Sequence, residues 1–400
     1  MFAEKYIAKS APGKILGGLP QPELGMVIVI PAYKEDNVLK TLNSLLRCSR
    51  PSCLTEIIIL INHPEDAATL IKAQSLQTYR TISAWSEKAS GNGMAFYPTL
   101  PVSLPRKWAG AGLARKKGMD EAVRRFNYLN KPAGLIISLD ADTLVERNYL
   151  AEIERYFASN PKSIGATIAF EHQVAGLPEK HRAGIALYEQ YMKYYKEAMS
   201  FTGYPYALFT IGSAFAVTAE AYVKRGGMNR RKAGEDFYFL QNLVLQGEVG
   251  EITATKVHPS ARLSDRVPFG TGPILKKWIE GKEDLAKTYN FQAFIDLKAF
   301  LALNDKMFKI TKPGFENLLN DLPLAVTEFL IADKFFRQVD ELSRNCSSPE
   351  VFCQRFFQVF NAFKILKFLN FAHGRFYDKA DLKKQVLRLK SAGQPNFLRV

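Results

Sequence analysis

Three short aliphatic runs constrain this chain more than any other feature. Residues 26–31 read Met-Val-Ile-Val-Ile-Pro, residues 56–61 Glu-Ile-Ile-Ile-Leu-Ile, and residues 135–139 Leu-Ile-Ile-Ser-Leu. None alternates apolar with polar. A strand with one wet face has to alternate, so these runs predict strands buried on both faces, the habit of a parallel sheet covered by helices. Helical spacing lies between them. Val38, Leu39, Leu42, Leu45 and Leu46 share one face of a helix over 36–47, and further helices are expected over 65–79 and 114–126. Strands are also expected over 164–170 and 208–217, around an aromatic-rich helix over 187–199, with another helix over 237–245. Strands alternating with helices predict an α/β layered fold.

The 400 residues suffice for two or three domains and a core that needs no disulfides. The four cysteines (Cys48, Cys53, Cys346, Cys353) pair at spacings that match neither a zinc cluster nor a CxxC redox pair. Buried thiols in a reducing compartment are the expectation. Residues 1–24 are polar and read as an N-terminal extension. They hold no apolar stretch of signal-peptide length, and no run of about 18 apolar residues occurs anywhere. A cytoplasmic location is expected, with the cytoplasmic face of a membrane as a candidate surface. From residue 276 onward helical spacing dominates and phenylalanine becomes frequent, so 276–400 reads as a helical region.

Lysine and arginine number 54 against 39 acidic residues, a net charge of +15. A field of that sign favours an anionic partner: nucleic acid, an acidic membrane or a phosphorylated small molecule. The far end is especially basic, with nine cations against Asp378 and Asp381 over 361–400. Phe352, Phe356, Phe360 and Phe363 share a helical face there. That face can pack into a core, or it can lie on an anionic membrane.

Asp140-Ala-Asp142 follows directly on the strand at 135–139. Ligands of open α/β sheets bind beyond the carboxyl ends of strands. Two carboxylates one residue apart at such a place can share a divalent cation with a diphosphate, and their hard oxygens suit Mg²⁺ or Mn²⁺. The same triplet elsewhere is often a solvated turn. Three other pieces give it a context. Residues 27–37 read VIVIPAYKEDN, residues 107–122 read KWAGAGLARKKGMDEA, and Gly226-Gly227-Met228 is followed by Gly234-Glu235-Asp236.

In this order the four pieces resemble the family 2 glycosyltransferases over about residues 26–270. The resemblance implies a GT-A type, Rossmann-like α/β/α sandwich with a C-terminal helical appendage. It also implies a nucleotide-sugar-binding half over 25–145, an acceptor-binding half over 146–275 and the helical region after it. By the same resemblance Pro31, Ala32, Tyr33 and Glu35 form a donor-contacting loop, and Arg115 faces the nucleotide sugar. Asp140 and Asp142 form the DxD motif, with Asp142 as the direct metal contact. Glu235-Asp236 forms the acidic pair, of which Asp236 is the candidate base. His258 stands where some relatives close the metal site. Arg262 and Arg266 are placed to neutralise the diphosphate leaving group, and residues 270–272 suit a loop that approaches closely or moves. One departure concerns the turn after the second strand. It reads Asn62-His63-Pro64-Glu65-Asp66, where the family usually has an aspartate that reads the base. An asparagine carbonyl can accept from a uracil N–H, but its amide also donates, and a plain turn explains the residues equally well.

The expected activity is therefore metal-dependent transfer of a sugar from a nucleotide-sugar donor, UDP-sugar by default, to an acceptor hydroxyl, with inversion. The acceptor is expected to be anionic or lipid-linked, with peripheral membrane contact through the basic end and no nucleic acid. A nucleotidyltransferase on a related sheet would want a glycine-rich loop where Pro31-Ala-Tyr-Lys stands. A basic nucleic-acid binder would leave Asp140, Asp142, Glu235 and Asp236 without a purpose and repulsive to phosphate.

Overall fold

The structure of the protein, a computed structural model, describes residues 1–10, 13–264 and 270–393. It divides into two units, Met1–Leu177 with Thr210–Lys276, and Pro178–Phe209 with Lys277–Val400.

The first unit contains, in chain order, α1 (Glu4–Ser10), β1 (Leu24–Ala32), α2 (Val38–Leu46), β2 (Leu54–Pro64), α3 (Thr69–Ala89), β3 (Met94–Pro98), β4 (Val102–Leu104), α4 (Ala111–Tyr128), β5 (Leu135–Ser138), β6 (Leu144–Val145), α5 (Tyr149–Ser159) and β7 (Ser163–Phe170). After α6 (Glu179–Phe201), which belongs to the second unit, it resumes with β8 (Phe215–Thr218), α7 (Ala219–Lys224), α8 (Glu235–Leu243) and β9 (Glu248–His258). The sheet order is β3-β2-β1-β5-β8-β7-β9-β6, with β4 paired to β2 off this path. β1 is parallel to both β2 and β5, with Val29 opposite Ile58 on one side and Ser138 on the other. β8 runs antiparallel to β5 and β7.

The three aliphatic runs form adjacent central strands, and Val27 to Ile30, Ile57 to Leu60, Ile136 and Ile137 are fully buried. The chain leaves β1 towards β2 on one side and later returns to β5 on the other. The crevice between the ends of β1 and β5 is the switch point at which open α/β sheets bind ligands. The loops that begin at Tyr33 and at Asp140 flank it.

Several elements differ in extent from the sequence-based expectation. The strand expected over 208–217 begins only at Phe215, because Ala214 N–H closes a turn onto the Ile211 carbonyl. β3, β4, β6 and β9 fall outside the strands expected from the sequence. β9 has a mixed burial pattern with no apolar run to reveal it. Residues 1–24 do not form a bare extension: α1 docks on α4 through a buried Tyr6. All four cysteines are free.

The second unit is helical: α6, α10 (Phe291–Leu301), α11 (Lys312–Asn320), α12 (Leu324–Ala332), α13 (Phe335–Arg344), α14 (Pro349–Val359), α15 (Ala362–His373) and α16 (Leu382–Gly393), following α9 (Thr271–Ile279), which spans the division. Its core is aromatic. Phe300, Phe335, Phe352, Phe356, Phe360 and Phe368 are buried, and Phe300 and Phe360 lie 4.9 Å apart between ring centroids. Of the phenylalanine face read from the sequence, Phe352, Phe356 and Phe360 are interior to this unit, but α14 ends at Val359, so Phe363 falls on α15 and is only half-buried; Lys383, Lys384 and Lys390 of the basic end are exposed. Among the described residues no helix is long and apolar enough to cross a membrane.

One charge pair is enclosed in the sheet–helix layer. Glu56 on β2 accepts from Arg125 on α4, from Nε to Oε2 and from Nη2 to Oε1 at 2.6 Å, with both side chains almost wholly buried. A buried pair of this kind is costly to break from one side, because the other charge is left stranded. Glu56→Ala is therefore expected to lower the unfolding free energy by about 3–5 kcal/mol. Chemical denaturation measures this, and a loss below about 1 kcal/mol, typical of an exposed pair, would contradict it.

Candidate active site

The loop after β1 places Glu35 in a buried position at the mouth of the crevice. Pro31 and Ala32 end the strand, and the chain then turns through Lys34, whose φ of 49° is in the left-handed region. The Lys34 ammonium stands 5.5 Å from the centroid of the Tyr33 ring. Glu35 Oε1 accepts from Arg262 Nη1 at 2.6 Å, and Arg262 Nη2 lies 2.9 Å from Asp142 Oδ2. One guanidinium, 35% exposed, thus stands between two carboxylates that come from different strand ends.

The loop after β5 carries Asp140 and Asp142. It is tied down from three directions. Thr143 N–H closes a turn on the Asp140 carbonyl, and Thr41 on α2 donates to the Ala141 carbonyl at 2.9 Å. Gln173, in the segment after β7, donates from Nε2 to the Asp142 carbonyl at 2.9 Å and to the His258 carbonyl at 2.7 Å. Sequence reading missed Gln173, and no motif marks it. Its importance lies in joining two loops that are distant in the chain.

Arg115, on the first turns of α4, is the hub of the site. Its Nη2 donates to Asp140 Oδ1 at 2.5 Å and its Nη1 to Glu235 Oε1. The side chain is 2% exposed. Gly212 makes the space for it, since a Cβ there would lie 2.7 Å from Arg115 Nη2. Gly112 lets the start of α8 approach α4, since a Cβ there would meet the Arg231 carbonyl at 2.2 Å and Glu235 Cβ at 3.0 Å. The guanidinium therefore clips the loop of Asp140 to the first residue of α8.

Asp236, the second residue of α8, accepts from the Phe237 N–H at 2.7 Å. Its carboxyl is raised from the ordinary aspartate range, first by burial and further by Asp140, while Arg115 pulls it back. A carboxylate raised in this way is a stronger base once ionised. The Asp142 carboxyl is pushed up to about 6, again first by burial. Arg262 lowers it and the neighbouring carboxylates Asp140 and Glu35 raise it.

The structure thus brings Glu35, Arg115, Asp140, Asp142, Glu235, Asp236 and Arg262 into one connected network. Asn62 and His258 stand outside its direct contacts. Asn62, 5% exposed at the end of β2, donates from Nδ2 to the Ala32 carbonyl at 3.1 Å and the Leu60 carbonyl at 3.3 Å. His258, opposite Leu144 at the end of β9, turns Nε2 towards Glu146 Oε1 at 3.7 Å and Nδ1 towards the Glu171 carbonyl at 3.0 Å. Among the described residues no group of three or more acidic, histidine or cysteine side chains is arranged to hold a metal ion. Arg266 lies outside the described residues.

Residues 27–226 match the family described as Glycosyl transferase family 2, and the chain belongs to that family. It is a glycosyltransferase. No curated protein sequence matches it. Among solved structures, Staphylococcus aureus TarS 1–349 shares 11% identity at a TM-score of 0.40, covering 84% of this chain and 92% of that one. The same protein in complex with UDP-GlcNAc shares 12% identity at 0.40, covering 92% and 84%. A longer TarS structure shares 11% at 0.39, covering 94% and 57%.

The raised Asp142 gives a pH signature. A carboxyl that holds its proton more tightly folded than unfolded stabilises the fold below the ordinary value of 3.8, and loses that contribution as pH rises through about 6. Thermal unfolding between those limits should show this falling slope, flattened in Asp142→Asn. Equal slopes in the two proteins would contradict the assignment.

Proposed function

We propose that this glycosyltransferase uses a nucleotide-sugar donor, with a uridine nucleotide as the default, and transfers the sugar to an acceptor hydroxyl with inversion. The observation that supports this most is the Arg115 fork, which sets the acidic pair on α8 beside the carboxylates that end β5. Donor and acceptor then meet between two sets of acids held in one network.

In this reading Pro31, Ala32, Tyr33 and Glu35 frame the nucleotide, and Glu35 accepts from ribose hydroxyls. Asn62 spends its amide nitrogen on two backbone carbonyls. In this reading its Oδ1 accepts from a uracil N–H. Asp236 takes the proton of the acceptor hydroxyl as the hydroxyl attacks the anomeric carbon. Glu235 stays fixed by Arg115 and keeps α8 in register.

The residues fit a hard divalent cation, Mn²⁺ or Mg²⁺. Three carboxylates, Glu35, Asp140 and Asp142, act electrostatically on one spot, and a guanidinium already stands among them. Asp142 and Asp140 would hold the ion. Such ions usually take only one or two protein carboxylates and complete their shell with substrate phosphates and water, so a third protein ligand is not required. When bound, the ion would offset the charge on the departing nucleoside diphosphate. Arg262 adds positive charge at the same place.

The acceptor is proposed to be anionic. Arg230, Arg231 and Lys232 are exposed on the segment that leads into Glu235, and cations at a cleft raise the local concentration of an acidic ligand.

The test is release of nucleoside diphosphate from a panel of nucleotide sugars, with Mn²⁺ and with chelator. Asp236→Asn should lower turnover by about 10²–10⁴-fold, the usual worth of a general base, while donor binding stays nearly unchanged. Normal turnover in that variant would remove Asp236 from the role of base.

A further inference from the structure

The loop that ends in Glu235-Asp236 begins at Gly226-Gly227, and that turn rests on a side chain from α1. The turn is closed by bonds from Gly226 N–H to the Val223 carbonyl and from Gly227 N–H to the Tyr222 carbonyl, both at 2.9 Å. Both glycines have left-handed φ, 84° and 77°. A Cβ at Gly227 would lie 1.9 Å from the Tyr6 hydroxyl and 3.3 Å from Lys116 Nζ. The hydroxyl therefore occupies the bare face of that glycine, and only glycine leaves it room.

The hydroxyl is itself held firmly. It donates to Asp120 Oδ1 at 2.6 Å and accepts from Lys116 Nζ at 3.0 Å. The Tyr222 hydroxyl also donates to Asp120 Oδ1, at 3.0 Å, and Lys116 Nζ reaches Asp120 Oδ2 at 2.8 Å. Tyr6, Lys116, Asp120 and Tyr222 are all buried. α1 is anchored a second time where Ala3 N–H donates to Asn127 Oδ1 at 2.8 Å.

Lys116 follows Arg115 on α4. Neighbouring residues of one helix therefore serve the two ends of the catalytic loop: Arg115 clips Glu235, and Lys116 with Asp120 holds the tyrosine under Gly227. Between these points the loop is braced by Asn229, whose Nδ2 donates to the Glu235 carbonyl at 2.9 Å. We propose that Tyr6 is a positioning residue for sugar transfer: its hydroxyl, seated against Gly227, fixes the start of the loop that delivers Glu235 and Asp236. It touches no reacting group. Its kinetic consequence rests on the reading of Asp236 as base, whereas its effect on the loop does not.

The experiment uses Tyr6→Phe in the full chain, read by amide hydrogen exchange and by donor turnover. Exchange should speed up over 226–236 while the amides of β1 and β5 keep their protection. Turnover should fall by about tenfold or more, as expected when a reacting group is displaced by part of an ångström, with donor affinity within about twofold of the native value. Gly227→Ala keeps every donor to Asp120 but drives a methyl group at the hydroxyl, so it should give the same local signature. Unchanged exchange in Tyr6→Phe, or an increase spread evenly over the whole first unit, would overturn the proposal. If the native chain itself releases no nucleoside diphosphate, the reading of Asp236 fails, and the exchange pattern alone decides the role of Tyr6.

Discussion

The site depends on one buried guanidinium. The Arg115 side chain is 2% exposed, and its two carboxylate partners come from different elements of the fold. A planar fork with several fixed donors can hold two acids at once, which a lysine ammonium on a flexible stem cannot do with the same geometry. The energetic logic is asymmetric. Forming the pair gains little over apolar packing, but removing one member strands a charge in a medium that cannot solvate it. Asp140 and Glu235 are therefore held at a fixed separation, and Asp236 and Asp142 inherit their places from them. Desolvation first, and then the nearby Asp140, raises both of these aspartates.

A second guanidinium plays a related part nearer the surface. Arg262 joins Glu35 to Asp142, so the ends of β1 and β5 are linked across the switch point. At 35% exposure it is more accessible than Arg115, and its pairing is correspondingly easier to exchange for a ligand.

The central sheet was legible because its strands are buried on both faces. Short, β-branched continuous runs such as 56–61 suit strands covered on both faces. The family was legible from the order of four short pieces along the chain rather than from any single spacing. What the sequence hid was long-range. Nothing about Tyr6 in a polar N-terminal stretch signals that it packs under Gly227, and nothing about Gln173 signals that it ties the Asp142 loop to that of His258. Both contacts exist only once the sheet order is set. The strand expected over 208–217 fails for a local reason, the turn before Phe215, whose Gly212 makes room for Arg115. There a functional close approach overrode an apolar run that looked like a longer strand. α6 groups with the C-terminal helices, although its place in the sequence lies between two strands of the sheet.

The claim that Arg115 couples the β5 loop to α8 is tested most directly by a double-mutant cycle on unfolding free energy, with Arg115→Met, Glu235→Gln and the two combined. The account predicts strong non-additivity, a coupling of about 1–3 kcal/mol between two residues that share a buried contact. Additivity within about 0.5 kcal/mol, as for residues that do not touch, would contradict it.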